Sequence, residues 1–345
     1  MKSIYINSQG GLGFNLALSH ILPEMRERYD RICVLSPYFD VFDSSPYVDS
    51  AYKPNEIRDF IFDAKAEDAR LICERMYDSE DFIYKKVSYA DAWRKAAGLS
   101  LKGNTNGSDT RADLQPLKKY SNLKSVIDSV LSEIEKRGFE NFIICQFTGG
   151  QSPLVQVPIE ERDVNGQKQK VQAWDKVPYN YENEPLKRHY PTELATEFCY
   201  QFAQEHPKTA IVMYQLPNEP MPNGNKNVVS FVIPYLAYYE IAKNKKCRGT
   251  VSIDSSLQHL VAGLTKSVVI WGHSLPLSFS YEYDVHIIQP CRRDDILYFS
   301  ALGPSGARID YIEPTELLAI TNRELFDENT SLKSYTKDGN VYTAR

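Results

Sequence analysis

Between Asn141 and Trp271 short apolar runs alternate with helical stretches, and this alternation constrains the fold more than any other feature of the chain. Strands are expected at 141–147, 209–214, 249–253 and 267–271, with a further apolar run at 228–233. Helices are expected between them at 192–206, 235–243 and 256–264. Alternating strand and helix implies a parallel sheet covered on both faces. The N-terminus opens the same way, with an apolar run Ser3 to Asn7, a turn carrying Gly10, Gly11 and Gly13, a helical run from Phe14 toward Tyr29, and a second strand from Arg31 to Ser36. A chain of 345 residues is long enough for two such units.

The apolar spacing of Leu123 to Lys136 predicts a helix that stops at Gly138, and a new strand follows at once. The boundary is therefore placed near Arg137: an N-terminal domain over 1–137, a C-terminal domain over 138–327, and a polar, loosely held tail over 328–345. Helices are expected around 55–65, 66–76 and 89–97. The stretch 101–117, rich in Gly, Asn, Asp and Ser, reads as a surface loop. An irregular insertion over 151–187 holds Val164-Asn165-Gly166-Gln167, a good hairpin turn. Two tandem Rossmann-like domains facing each other across a cleft make an α/β fold of the GT-B type the natural candidate.

Composition excludes several classes. With 42% hydrophobic and 25% charged residues the chain has a globular composition, and no stretch approaches the apolar length that spans a bilayer. The opening Met1 to Gly11 offers a short strand where an export signal would carry a long apolar run, so the expected location is cytoplasmic, or peripheral at the inner face of a membrane. A net charge of −5 argues against a broad nucleic-acid surface. The six cysteines (Cys33, Cys73, Cys145, Cys199, Cys247 and Cys291) stand singly, without metal-ligand spacing. No Asp-x-Asp follows a strand, so no metal is expected; no cofactor is expected either.

The segment with most chemistry runs Ser252-Ile253-Asp254-Ser255-Ser256-Leu257-Gln258-His259, continues to Leu264, and is followed by Ser267 to Gly272. Asp254 and the two serines stand at a strand's carboxyl end and a helix's start, where free backbone N–H groups and the positive helix end attract a diphosphate. Ser255 and Ser256 can both cap that helix and donate to phosphate oxygens; a plain N-cap is the structural alternative. The pattern resembles the Asp-Ser/Thr-Gly-x-x-His-x-Ala signature of the heptosyltransferases, lipopolysaccharide glycosyltransferases of GT-B fold, with Ser256 in place of the glycine.

A second match is Arg188-His189-Tyr190-Pro191-Thr192, followed by a helix, a strand and Pro217-Asn218-Glu219. The resemblance implies that Arg188 contacts donor phosphate and Glu219 the ribose, chemistry that suits a planar guanidinium fork and a strand-end carboxylate. His259, Asp254, Ser255 and Ser256 complete the implied donor site. Gly10, Gly11 and Gly13 resemble the family's Gly-x-Gly-Asp opening, where glycines let substrate approach the backbone. The aspartate of that opening, the family's candidate base, is Phe14 here. Asp40 and Asp43, in the loop after the second strand, are the substitutes put forward as base.

The resemblance thus implies a glycosyltransferase that moves a sugar from a nucleotide-diphosphate sugar, a substrate and not a cofactor, to a hydroxyl of a glycan-type acceptor. Basic residues interleaved with rings between Arg162 and Tyr190 keep open a second reading, an enzyme of the same fold acting on modified bases of DNA. A non-catalytic binding protein is the third.

Overall fold

The computed structural model describes residues 2–73, 76, 79–83, 87–103, 108–149, 159–164, 167–172, 189–215, 219, 221–222, 225–271, 279–282, 284–289, 291–293, 296–298, 308–327, 334–336 and 341–342. The N-terminal unit is a four-stranded sheet of β1 (Ser3–Asn7), β2 (Arg31–Leu35), β3 (Ser50–Tyr52) and β4 (Arg70–Ile72). Its order is β3-β2-β1-β4 and every pair is parallel. The crossovers are α1 (Leu12–Ser19) with α2 (Leu22–Arg28), then α3 (Phe39–Asp43), then α4 (Ile57–Ala66). Beyond β4 come α5 (Glu80–Ile83), α6 (Tyr89–Ala96), α7 (Pro116–Lys119) and α8 (Asn122–Lys136).

The second unit starts with β5 (Asn141–Gln146). A hairpin of β6 (Ile159–Val164) and β7 (Gln167–Gln172) leaves the sheet, with Val164 opposite Gln167 as the turn sequence predicts. The sheet continues through α9 (Thr192–Glu205), β8 (Thr209–Met213), β9 (Val228–Ser230), α10 (Tyr235–Ala242), β10 (Cys247–Ile253), α11 (Ser256–Val261), β11 (Ser267–Trp271) and β12 (Asp284–Ile288). Its parallel order is β9-β8-β5-β10-β11-β12. The tail adds to it: Ser334–Thr336 runs parallel to β12, and Val341–Tyr342 pairs antiparallel with that strand. These two strands are the described part of the expected polar tail.

The sequence explains most of these elements. On α8 the buried residues are Leu123, Ile127, Val130 and Ile134, one helical stripe. The helix ends where Gly138 takes φ +85°, a left-handed turn that costs glycine little. The expected helix over 66–76 does not form among its described residues. Asp68 adopts φ +48° and the Ala69 N–H bonds the Ala64 carbonyl at 2.9 Å, which closes α4, and Arg70–Ile72 then joins β1 as an edge strand. A three-residue edge strand is too short to show a period.

The apolar core has three parts. Ile143 and Cys145 of β5 face Phe198, Phe202 and Leu317 on one side of the large sheet. Phe142 and Ile144 face the other way, into a cluster that runs without a break through Leu236, Leu257 and Val261 to Phe14, Trp93, Ile4 and Ile6 of the N-terminal unit. The outer face of the small sheet packs Tyr5, Cys33 and Leu35 on Phe60 and Ala64. The two units thus share one apolar cluster.

The expected surface loop at 101–117 is corrected over its described part. Ser108, Thr110, Ala112 and Leu114 are buried at alternate positions. The Ala112 N–H bonds the Ala262 carbonyl (3.1 Å), the Leu114 N–H bonds the Tyr239 hydroxyl (2.9 Å), and the Gln115 N–H bonds the Ser44 carbonyl (2.8 Å). This strap ties the two units together. The bonds across the junction come from backbone N–H groups of Ala112 and Leu114, which any composition carries, so a polar composition did not mean exposure.

Candidate functional site

Strand order locates the site. In the small sheet the chain runs outward from β1 through β2 to β3, then returns to the other side of β1 for β4. In the large sheet it runs from β5 through β8 to β9, then crosses to the other side of β5 for β10. Open α/β sheets bind ligands at the carboxyl ends of strands beside such a reversal. The Gly10 to Gly13 turn leaves β1 at the first reversal, and Asp254, Ser255 and Gln146 stand at the second. The two meet: α1 packs on α11.

Around β5 and β10 the contacts are close. Gln146, the last residue of β5, uses its side chain twice: Oε1 accepts from the Leu257 N–H at 3.0 Å and Nε2 donates to Ser255 Oγ at 3.3 Å. The cap of α11 therefore comes from the neighbouring strand. Ser255 occupies the N-cap position without a capping bond from its own side chain, a correction to the expected role of the serines. Ser256 Oγ donates to the Tyr214 hydroxyl at 3.2 Å. A methyl built at Gly149 would lie 2.7 Å from Ser255 Oγ, so the turn after β5 needs glycine to run beside this loop. Asp254 is buried.

The glycines of the first turn serve packing more than openness. A methyl at Gly10 would lie 2.6 Å from the Phe14 ring, and one at Gly13 would lie 2.8 Å from Cδ2 of His259; at Gly11 it would meet nothing within 4 Å. Phe14 itself is buried against Tyr89 and Trp93, with ring centroids 5.4 and 5.6 Å away. It is a core residue with no proton chemistry. His259 bonds the Tyr281 hydroxyl through Nδ1 at 2.8 Å while its other edge supports α1. Behind it His20 is fully buried with its ring 5.0 Å from that of Tyr281, and burial holds its pKa down at about 3.

The two acidic candidates separate. Both lie on α3, a short helix where a loop was expected. Asp40 accepts a hydrogen bond from the Tyr235 hydroxyl at the first turn of α10, across the junction. Asp43 is engaged elsewhere: the Tyr120 hydroxyl donates to it at 3.0 Å and Lys119 Nζ at 3.3 Å. Burial pushes the Asp40 carboxyl above its usual range; the Tyr235 hydroxyl and the N–H groups of Asp40 and Val41 pull it back, and Asp43 adds repulsion. Tyr38, Tyr214 and Tyr235 form a neighbouring group of phenols whose burial raises their pKa values, so each keeps its proton at neutral pH. Glu219 is buried, and its charge adds to the rise at Tyr214.

The structure thus brings together Gly13 with His259 and Ser256, Ser255 with Gln146 and Gly149, Glu219 with Tyr214, and Asp40 with Tyr235. Arg188 lies outside the described residues, as does most of the basic and aromatic stretch around it. Its neighbour His189 pairs with Thr148 beyond the end of β5. Sequence reasoning passed over Gln146, Tyr38, Tyr214 and Tyr235. Gln146 and Tyr214 stand at strand carboxyl ends, the position that had drawn attention to Asp254. Among the described residues no group of three or more His, Cys, Asp or Glu could hold a metal ion, and no helix is long and apolar enough to cross a membrane.

Two mainly parallel α/β sheets, each with its turn-forming residues at a strand-order reversal and the two reversals in contact, define the GT-B architecture. Among solved structures the fold matches E. coli ADP-heptose LPS heptosyltransferase II at a TM-score of 0.54 and 13% identity, over 96% of this chain and 100% of that one. E. coli heptosyltransferase WaaC with ADP follows at a TM-score of 0.47 and 11% identity, over 84% of this chain and 93% of that one. The iron-containing dodecameric glycosyltransferase TibC of enterotoxigenic E. coli gives 0.48 and 12%, over 83% of this chain and 62% of that one. No protein-family model and no curated protein matches the sequence.

Proposed function

We propose that the protein is a glycosyltransferase that moves a sugar from a nucleotide-diphosphate sugar to a hydroxyl of a glycan-type acceptor, without a metal ion. The observation that carries this reading is the meeting of the two strand-order reversals, with Asp254, Ser255, Ser256 and Gly149 on one side and the N-terminal turn of α1 on the other. The loop after β10 would take the diphosphate, with Arg188 supplying a guanidinium and Glu219 holding the ribose hydroxyls. Fixed donors of this kind stabilise the departing diphosphate as negative charge develops. Asp40 is the base that takes the acceptor's proton. Asp43, held by Tyr120 and Lys119, is the weaker candidate.

The name of heptosyltransferase II carries ADP-heptose, which makes ADP the first nucleotide to test. In titration calorimetry with excess chelator, ADP should bind the full chain, and Arg188→Ala should weaken it by about 1.5–3 kcal/mol, roughly tenfold to a hundredfold. Binding that vanishes with chelation would overturn the metal-free claim. An unchanged Arg188→Ala would remove that residue from the site, and no binding of any nucleoside diphosphate would sink the donor reading.

A further inference from the structure

Asp40 belongs to the N-terminal unit, yet the hydroxyl that grips its carboxylate comes from the other one. Tyr235 stands at the first turn of α10 behind Pro234, a start that fixes the backbone entering the helix. Its ring meets that of Tyr38 edge-on, with centroids 6.3 Å apart. Tyr38 and Asp40 lie two residues apart after β2, so α10 contacts this short segment by one ring pair and one hydrogen bond. We propose that Tyr235 is a positioning residue that aims the Asp40 carboxylate, so that the base of the transfer reaction is complete only where the two units meet. This rests on the reading of Asp40 as base.

The arrangement has a chemical consequence. The Tyr235 phenol and the N–H groups of Asp40 and Val41 hold the carboxylate, so its orientation is set before substrate arrives, and carboxylate oxygens with more than one lone pair can still accept from the acceptor hydroxyl. The charged and titratable groups around Asp40 are Tyr38 from its own segment, Asp43 on α3, Tyr120 beyond α7, and Tyr235 on α10. Lys53 sits over the Phe39 ring at 5.1 Å. Tyr235 donates a hydrogen bond to Asp40, while Tyr120 and Lys119 donate to Asp43. A hydrogen bond to the ionised form favours it, so removal of the Tyr235 hydroxyl should make Asp40 harder to ionise.

The test compares the full chain with Tyr235→Phe, which keeps the ring and loses the hydroxyl. Carboxyl-labelled aspartate is followed by carbon NMR across pH, with Asp40→Asn identifying the Asp40 signal. The Asp40 midpoint should rise in Tyr235→Phe by roughly half a pH unit or more. ADP release from an ADP-sugar should show its acidic limb moved up by the same amount, with the KM for donor unchanged. An unmoved midpoint and acidic limb in Tyr235→Phe, beside an inactive Asp40→Asn, would overturn the positioning role alone. Wild-type turnover in Asp40→Asn would overturn the base itself, and the inference with it.

Discussion

At Gly13 a single methyl group would enter the space that the His259 ring fills, and that ring cannot retreat without losing its 2.8 Å bond to Tyr281. At Gly11, two residues earlier, a methyl would meet open space on a backbone (φ −66°, ψ 172°) that any residue adopts. Gly13→Ala should therefore cost about 1–3 kcal/mol in urea denaturation, the usual penalty of overpacking. Gly11→Ala should stay within about 1 kcal/mol of the parent, because lost flexibility of the unfolded chain offsets a poorer N-cap. Equal stabilities for the two variants would show that the glycines do not divide in this way. The same reasoning separates Phe14 from the acid it stands for. A ring enclosed by Tyr89 and Trp93 is part of the core, and the base has to come from another element.

Among the elements, α11 depends most on a neighbour. It is six residues long and takes its cap from Gln146 on β5, across the strand-order reversal. Gln146→Leu keeps the volume and leaves the buried Leu257 N–H unpaired, which should cost about 1–3 kcal/mol. Gln146→Glu keeps an acceptor for that N–H and should recover much of the loss in urea denaturation. It should also weaken ADP in calorimetry, because a carboxylate then stands beside the loop proposed for the diphosphate. Equal stability of the two variants would show that the cap contributes nothing. The strap over 108–115 makes the complementary point: alternate burial and junction hydrogen bonds give a polar segment the part of a brace.

Across the whole molecule, one apolar cluster runs from β1 to β5 and β8, and the strap bonds residues of both units. Two units that share a core and a brace lose both when either unfolds. A single calorimetric transition is expected, with ADP raising it as a whole. Two resolved transitions, one of them insensitive to ADP, would mean that the shared cluster does not couple the units.

What the sequence determined by itself is the local pattern: the alternation over 141–271, the helix at 123–136 with its glycine stop, the hairpin turn at 164–167, and the placing of Asp254 and the serines at a strand end. These follow from periods and turn preferences that act over a few residues. The short strands β3 and β4 left no period to read, and Asp68 closed α4 by a left-handed conformation that composition does not announce. Only the tertiary structure decided which side chains meet. It put Gln146 under α11, Phe14 in the core, His259 under Gly13, and Tyr235 on Asp40, residues 195 positions apart. Contacts of that separation come from the order in which strands add to a sheet and from two units packing on one another, and neither is a property of any local stretch of chain.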